Sequence, residues 1–166
     1  MQKTWAPRGQ TPVLKRRLRS WKKLSLIGAW SVSPKRRRVD WCCELLPASF
    51  KQEDFVEFLR GLLCRWCEPI VLIWDNLPAH RGSKVQQFVA SHRRLHIEHL
   101  PKYAPELNPN EYAWGYLKRN LLSQFCPDDI HQLEIETLFQ TARLSGRSPL
   151  LKSFLAASGL PFRWPP

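Results

Sequence analysis

From Leu24 to Trp30 apolar residues alternate with small or polar ones, so that Leu24, Leu26, Gly28 and Trp30 share one face. A period of two predicts a strand. Ser33-Pro34 and the basic run Lys35-Arg36-Arg37-Arg38 interrupt it, and Val39 to Leu46 predicts the second strand of an antiparallel hairpin. The period then lengthens. Phe55, Leu59, Leu62, Leu63 and Trp66 recur at helical spacing. Ser49, with Gln52 three residues on, is the expected capping box, and the helix is expected to end near Cys67, ahead of Pro69. Ile70 to Trp74 is an unbroken apolar run, as in a central strand buried on both faces, and it ends in Asp75.

A short helix is predicted from about Ser83 to Arg93, with Val85, Phe88 and Val89 inward, and a strand from Leu95 to His99. A proline-rich loop follows from Pro101 to Asn108. Asn108 then caps a helix whose first position is Pro109, where the missing N–H costs nothing. That helix is expected to reach about Gln124 through Trp114, Leu117 and Leu121. Two more helices are predicted near 129–144 and 149–158. Asp128 or Asp129 caps the first, and Gly146 and Gly159 follow the two ends. Residues 1–22 read as irregular, with turn signals at Pro7-Arg8-Gly9 and Thr11-Pro12. Strands thus alternate with helices after an opening hairpin, which is a mixed α/β domain, and 166 residues suffice for one core.

Charge adds a partner. The net charge of +12 lies wholly in residues 1–38, which hold 12 Lys and Arg and no acid, while 14 basic and 14 acidic residues balance over 39–166. A block of one sign suits a polyanion, most simply a nucleic-acid backbone, and its alternative is a solvated basic surface. No apolar run is long enough to span a bilayer, so no transmembrane helix is expected; an acidic membrane surface is the weaker competitor for the basic block, and no membrane partner is expected. The cysteine count is odd (five) and no export signal precedes them, which suits a reducing cytoplasm. Cys64-Arg-Trp-Cys67 has the spacing of half a zinc site, but no second pair accompanies it and it falls within a helical pattern.

Two carboxylates carry the candidate chemistry. Asp75 closes an apolar strand, and ligands of open α/β sheets bind at the carboxyl ends of strands. It either holds a cation there or bonds its own backbone in the turn Asp75-Asn76-Leu77-Pro78. Glu111, third in its helix, either supports the cap and the helix dipole or serves as a second ligand. With 35 residues between them, the strand order can bring both to one end of the sheet.

The wording around these acids is specific. Asp75-Asn76-Leu77-Pro78-Ala79-His80, and then His99-Leu100-Pro101-Lys102-Tyr103-Ala104-Pro105-Glu106-Leu107-Asn108-Pro109-Asn110-Glu111-Tyr112-Ala113-Trp114-Gly115-Tyr116-Leu117-Lys118, resemble the second half of the mariner-like insertion-sequence transposase domain, of the DDE superfamily of endonucleases. Thr4-Trp5-Ala6-Pro7-Arg8-Gly9-Gln10 resembles the segment before that family's first hairpin, and the likeness runs over about residues 4–125. The resemblance implies an RNase H-like mixed sheet with flanking helices, spanning 23–125 behind a basic segment 1–22 and ahead of a helical extension 126–166. It implies three carboxylates holding two Mg2+ or Mn2+ ions for in-line displacement at phosphorus, with Asp75 as the second acid and Glu111 as the third. The implied partner is DNA, as transposon ends and as target, with a homodimer left open and a nucleoid-associated place in the cytoplasm. Lys15, Arg16, Arg17, Arg36, Arg37, Lys118 and Arg119 are the expected DNA contacts, the last two on the helix of Glu111. Trp114 lies on the same face and reads equally as core.

One part of the family's pattern is expected to be missing. Its first aspartate ends a central strand upstream of the segment resembled by Trp5 to Gln10, and nothing before Trp5 supplies a strand or an acid. Asp40, at the start of the second hairpin strand, is in the wrong place to replace it. The expected function is therefore metal-dependent DNA cleavage and strand transfer by a domain lacking one strand and one acid. The alternatives are a non-catalytic DNA-binding remnant and another kind of RNase H-like nuclease. The Leu107-Asn108-Pro109-Asn110-Glu111 wording speaks against the last.

Overall fold

The opening hairpin forms where the period of two predicts it. In the computed structural model, which describes residues 7–10, 23–35 and 38–160, β1 (Ser25–Val32) pairs antiparallel with β2 (Val39–Leu46). The register runs from Ser25 opposite Leu46 to Val32 opposite Val39, and Ser33 donates to the Arg38 carbonyl at 3.0 Å across the turn. Most of the basic segment 1–22, with Lys15, Arg16 and Arg17, lies outside the described residues, as do Arg36 and Arg37.

Helix α1 (Gln52–Arg65) begins later than its expected cap. Lys51, not Ser49, is the capping residue: its N–H donates to Asp54 Oδ2 at 2.7 Å, so the acid two places beyond Gln52 closes the box. The helix also ends two residues before Cys67, where Trp66 N–H still reaches the Leu62 carbonyl at 3.1 Å. Cys64 and Cys67 are exposed free thiols. Its buried face is Phe55, Phe58, Leu59, Leu62 and Leu63.

Next, β3 (Ile70–Trp74) and β4 (Leu95–His99) pair in parallel, Ile70 opposite Leu95 and Trp74 opposite His99, joined through α2 (Ser83–Ala90). This is a strand–helix–strand crossover. Helix α2 stops short of Arg93, and Ser91 and His92 turn back to the Phe88 carbonyl at 2.8 and 2.7 Å. The expectation of a strand buried on both faces fails at β3. Ile70, Leu72 and Trp74 pack on the core of α1 and α2, but Val71 is 65 % exposed and Ile73 48 %. The reason is the absence of a covering layer: among the described residues the sheets are β1–β2 and β3–β4, with no strand between them. Between the two sheets lies a cavity of about 1190 Å³, walled by Ser25 to Ser33 on one side and Ile70 to Asp75 on the other.

Beyond β4, α3 (Pro109–Tyr116) is shorter than expected. It passes into a π turn over Leu117–Leu121, closed by Leu122 N–H to the Leu117 carbonyl at 2.8 Å. Gly115, two residues before the slip, lowers helix propensity there. Asp129 Oδ1 caps α4 (Ile130–Ser145) by accepting from Gln132 N–H at 2.8 Å, and α5 (Ser148–Ala157) follows. These two helices close a second core against the other face of the hairpin, with Val39, Trp41, Ala113, Leu144, Leu151 and Leu155 buried together.

The hairpin thus serves two cores, Ala29 facing one and Trp41 the other. Gly28 lies at the crowded point between β1 and α3. A Cβ there would meet Asn110 Oδ1 at 2.9 Å and Trp114 and Trp41 at 3.0 Å. Gly28→Ala is expected to destabilise by about 2 kcal/mol, the usual cost of overpacking. Thermal unfolding measured by circular dichroism checks this, and an unchanged midpoint would show that α3 can back away.

Candidate active site

Asp75 follows β3 directly, and the chain bends there into a short 3₁₀ turn, Pro78–Arg81. Its Oδ1 accepts from Leu77 N–H at 3.1 Å and lies 2.9 Å from His80 Nδ1. The turn reading of Asp75 is therefore correct for one oxygen. Oδ2 takes no hydrogen bond among the described residues, so the two readings are compatible: Oδ1 holds the turn and Oδ2 stays unengaged. His80 is buried beneath, with Trp74 Nε1–H donating to its Nε2 at 2.8 Å and the Phe55 ring edge-on at 4.7 Å. Asn76 Nδ2 donates to the Leu100 carbonyl at 2.5 Å, and Arg81 donates to Asn76 Oδ1. The loop after β3 is thereby pinned to the loop after β4.

The hydrogen bond from His80 holds the Asp75 carboxyl below its ordinary value of 3.8, against partial burial, which acts the other way; Leu77 N–H lowers it further. A lowered folded-state value stabilises the fold above the unfolded value, and that share is lost as pH falls below it. Asp75→Asn should therefore flatten the acid limb of stability only below about pH 4. Urea midpoints between pH 2 and 7 test this, and an identical acid limb in the variant would contradict it.

Glu111 is placed by a different device. Asn108 Oδ1 caps α3 through Asn110 N–H at 3.1 Å, as expected. Asn110 then fastens the helix start to the hairpin. Its Oδ1 accepts from the indole N–H groups of Trp30 and Trp41, each at 3.0 Å, and its Nδ2 donates to the Gly28 carbonyl at 2.8 Å. The Glu111 carboxylate is exposed and makes no capping bond, hydrogen bond or ion pair among the described residues. Tyr103, at φ 59° and 99 % exposed, is the strained point of the loop leading to it.

Asp75 and Glu111 line the same inter-sheet cavity. Asp40 lines it too, but its oxygens are engaged, Oδ1 by Trp41 N–H at 2.9 Å and Oδ2 by Arg65 at 2.5 Å. Among the described residues no three His, Cys, Asp or Glu gather as a metal site. The oxygen chemistry of Asp75 and Glu111 fits a hard divalent cation, and the number of ligands falls short by one of the three carboxylates that the sequence resemblance implies. Lys118 and Arg119 sit in the π turn, with Lys118 exposed and Arg119 folded against Gly115. Trp114 packs on Trp41, ring centroids 5.4 Å apart, and is a core residue. Asn110 and the Trp74–His80 pair went unread in the sequence. An asparagine in a first helical turn looks like polar filler, and nothing local shows that two tryptophans from a hairpin some 70 to 80 residues earlier meet it.

The family of DDE superfamily endonucleases matches residues 1–134 of the chain. No curated protein matches. Among solved structures, the chain is similar to that of the Mos1 strand transfer complex, with a TM-score of 0.58 at 16 % identity over 98 % of this chain and 51 % of that one. It is similar in the same degree, 0.58 at 16 %, to the Mos1 mariner paired-end complex with Mn, of which it covers 52 %. The Mos1 paired-end complex with left transposon end gives 0.58 at 18 % identity, again with 52 % covered. The chain therefore spans about half the length of these solved chains and shares their fold. Among the described residues, no helix is long and apolar enough to cross a membrane.

Proposed function

From a chain that belongs to the family of DDE superfamily endonucleases, we propose a metal-dependent DNA strand-cleaving and strand-transferring domain of the transposase kind, in which Asp75 and Glu111 hold Mg2+ or Mn2+. The observation that carries this reading is that the two acids, with 35 residues between them, line one cavity, and that Asp75 Oδ2 and both Glu111 oxygens are engaged by no other described group. Bound there, a divalent ion would supply a Lewis acid and an activated oxygen nucleophile for displacement at phosphorus. The chain's own part is to fix both carboxylates: Asp75 by His80 and Leu77, Glu111 by the Asn110 fastening. Net positive charge and the exposed Lys118 suit the phosphates of a DNA substrate, transposon end or target, and a nucleoid-associated place in the cytoplasm would suit that substrate.

The cavity belongs to the same reading. It has the form of a slot between β1 and β3, each with one edge unpaired among the described residues, and Val71 and Ile73 are exposed beside it. An extended apolar segment would satisfy both edges and cover both side chains. With an acid at its end it would also bring a third carboxylate to Asp75 and Glu111. Residues 1–38 hold no acid and so supply no such ligand. Until the slot is filled, the domain is expected to be weakly stable and close to inactive.

Calorimetric titration with Mn2+, beside DNA mobility shifts over a salt series, tests the reading. Mn2+ binding should be lost in Asp75→Asn and in Glu111→Gln, while salt-sensitive DNA binding survives both changes. Mn2+ binding that ignores both acids, with DNA binding intact, would identify a DNA-binding remnant instead.

A further inference from the structure

Resting on Asp75 as a cation ligand, we infer that Trp74 is a positioning residue for it, acting through His80. An indole N–H can only donate. Since Trp74 Nε1–H points at His80 Nε2 at 2.8 Å, that nitrogen must accept, and the ring's hydrogen is placed on Nδ1. Nδ1–H in turn faces Asp75, 2.9 Å from Oδ1 and 3.5 Å from its backbone carbonyl oxygen, both of them acceptors. A proton on Nε2 instead would set two donors against each other and leave a lone pair on Nδ1 opposing the carboxylate.

Burial makes the arrangement rigid. His80 is 8 % exposed and Trp74 9 %, their ring centroids are 4.0 Å apart, and Phe55 flanks both. Water does not compete for the shared hydrogen bond at such exposure. The consequence appears at the carboxylate. Oδ1 faces Leu77 N–H and His80 Nδ1–H together, which restrains the group and leaves Oδ2 for the cation. Hydrogen bonds to a ligating group from the residues behind it typically alter metal affinity by 10–100-fold. The sequence hides this: a tryptophan ending an apolar strand reads as core, and core packing alone needs no N–H.

The test separates tautomer from metal. In the metal-free full chain, two-bond ¹H–¹⁵N spectra of labelled histidines, with His80 assigned by its loss in His80→Gln, should show His80 protonated on Nδ1. Trp74→Phe keeps the ring packing and removes the donor. It should move His80 toward the Nε2–H form and weaken Mn2+ binding by about tenfold. In His80→Gln the side-chain amide donates to Asp75 without help, so adding Trp74→Phe should cost nothing more. An Nε2–H His80 in the unmodified protein would overturn the inference, whether or not any variant folds. So would equal losses of Mn2+ affinity from Trp74→Phe in both backgrounds, which would reduce Trp74 to packing. Mn2+ binding that ignores Asp75→Asn would count against the metal reading alone and leave the tautomer result standing.

Discussion

Asn110→Ala is expected to lower the unfolding free energy by about 3 kcal/mol, a thermal midpoint fall of roughly 6–12 °C for a chain of this size. Asn110 Oδ1 accepts from both Trp30 and Trp41 indoles at 3.0 Å. Alanine leaves both donors without that partner. Trp41 is 1 % exposed, so water cannot replace the acceptor there, and a buried unpaired donor costs about 1–3 kcal/mol. The bond from Nδ2 to the Gly28 carbonyl is lost as well. Asn110→Asp separates these contributions, because it keeps the acceptor and loses that donor, and it should fall between the two. Circular dichroism melts of the three proteins decide it. A loss below about 1 kcal/mol for alanine would mean that the indoles find other partners or water. Because Glu111 is the next residue, the same variant should also weaken Mn2+ binding more than a distant change of equal stability cost, Leu59→Ala for instance.

The second large effect is catalytic. With the slot filled by an apolar strand peptide ending in aspartate, Mg2+-dependent nicking of supercoiled DNA should fall by about a hundredfold or more in Asp75→Asn, and likewise in Glu111→Gln. Charge stabilisation by a bound ion is worth several kcal/mol in the transition state, and each 1.36 kcal/mol is tenfold in rate. The two losses should not add, since either change removes the same bound metal. Without the peptide all three proteins should nick weakly. Nicking that persists undiminished in Asp75→Asn would remove that residue from the machinery. A peptide ending in asparagine should raise the thermal midpoint without restoring nicking, which separates the slot's structural need from its chemical one.

Several of these features were legible from spacing alone. The hairpin followed from alternation at Leu24 to Trp30 and from the turn that joins it to Val39. The Asn108-Pro109 helix start was readable because capping uses residues within three positions of one another. Both acids could be named for the same reason, Asp75 at a strand end and Glu111 in a first helical turn. Errors came where a neighbour from another part of the chain decides the outcome. A run such as Ile70 to Trp74 says that a strand is apolar, not how many layers cover it, and Val71 and Ile73 proved exposed beside an open slot. The helix of Glu111 kept its start and lost its expected end to a π turn at Leu117–Leu121.

By itself, then, the sequence determined the order of elements, the wording around the two acids and the charge that suits DNA, all carried by local periodicity and short-range capping. Only the tertiary structure decided what those acids can do. It committed Asp75 Oδ1 to the protein and left Oδ2 unengaged among the described residues, tied up both oxygens of Asp40, and fastened Glu111 to the hairpin through Asn110. Each of these depends on a hydrogen bond whose donor and acceptor lie on different elements, or on burial that excludes water. Neither quantity is encoded in any one stretch of chain.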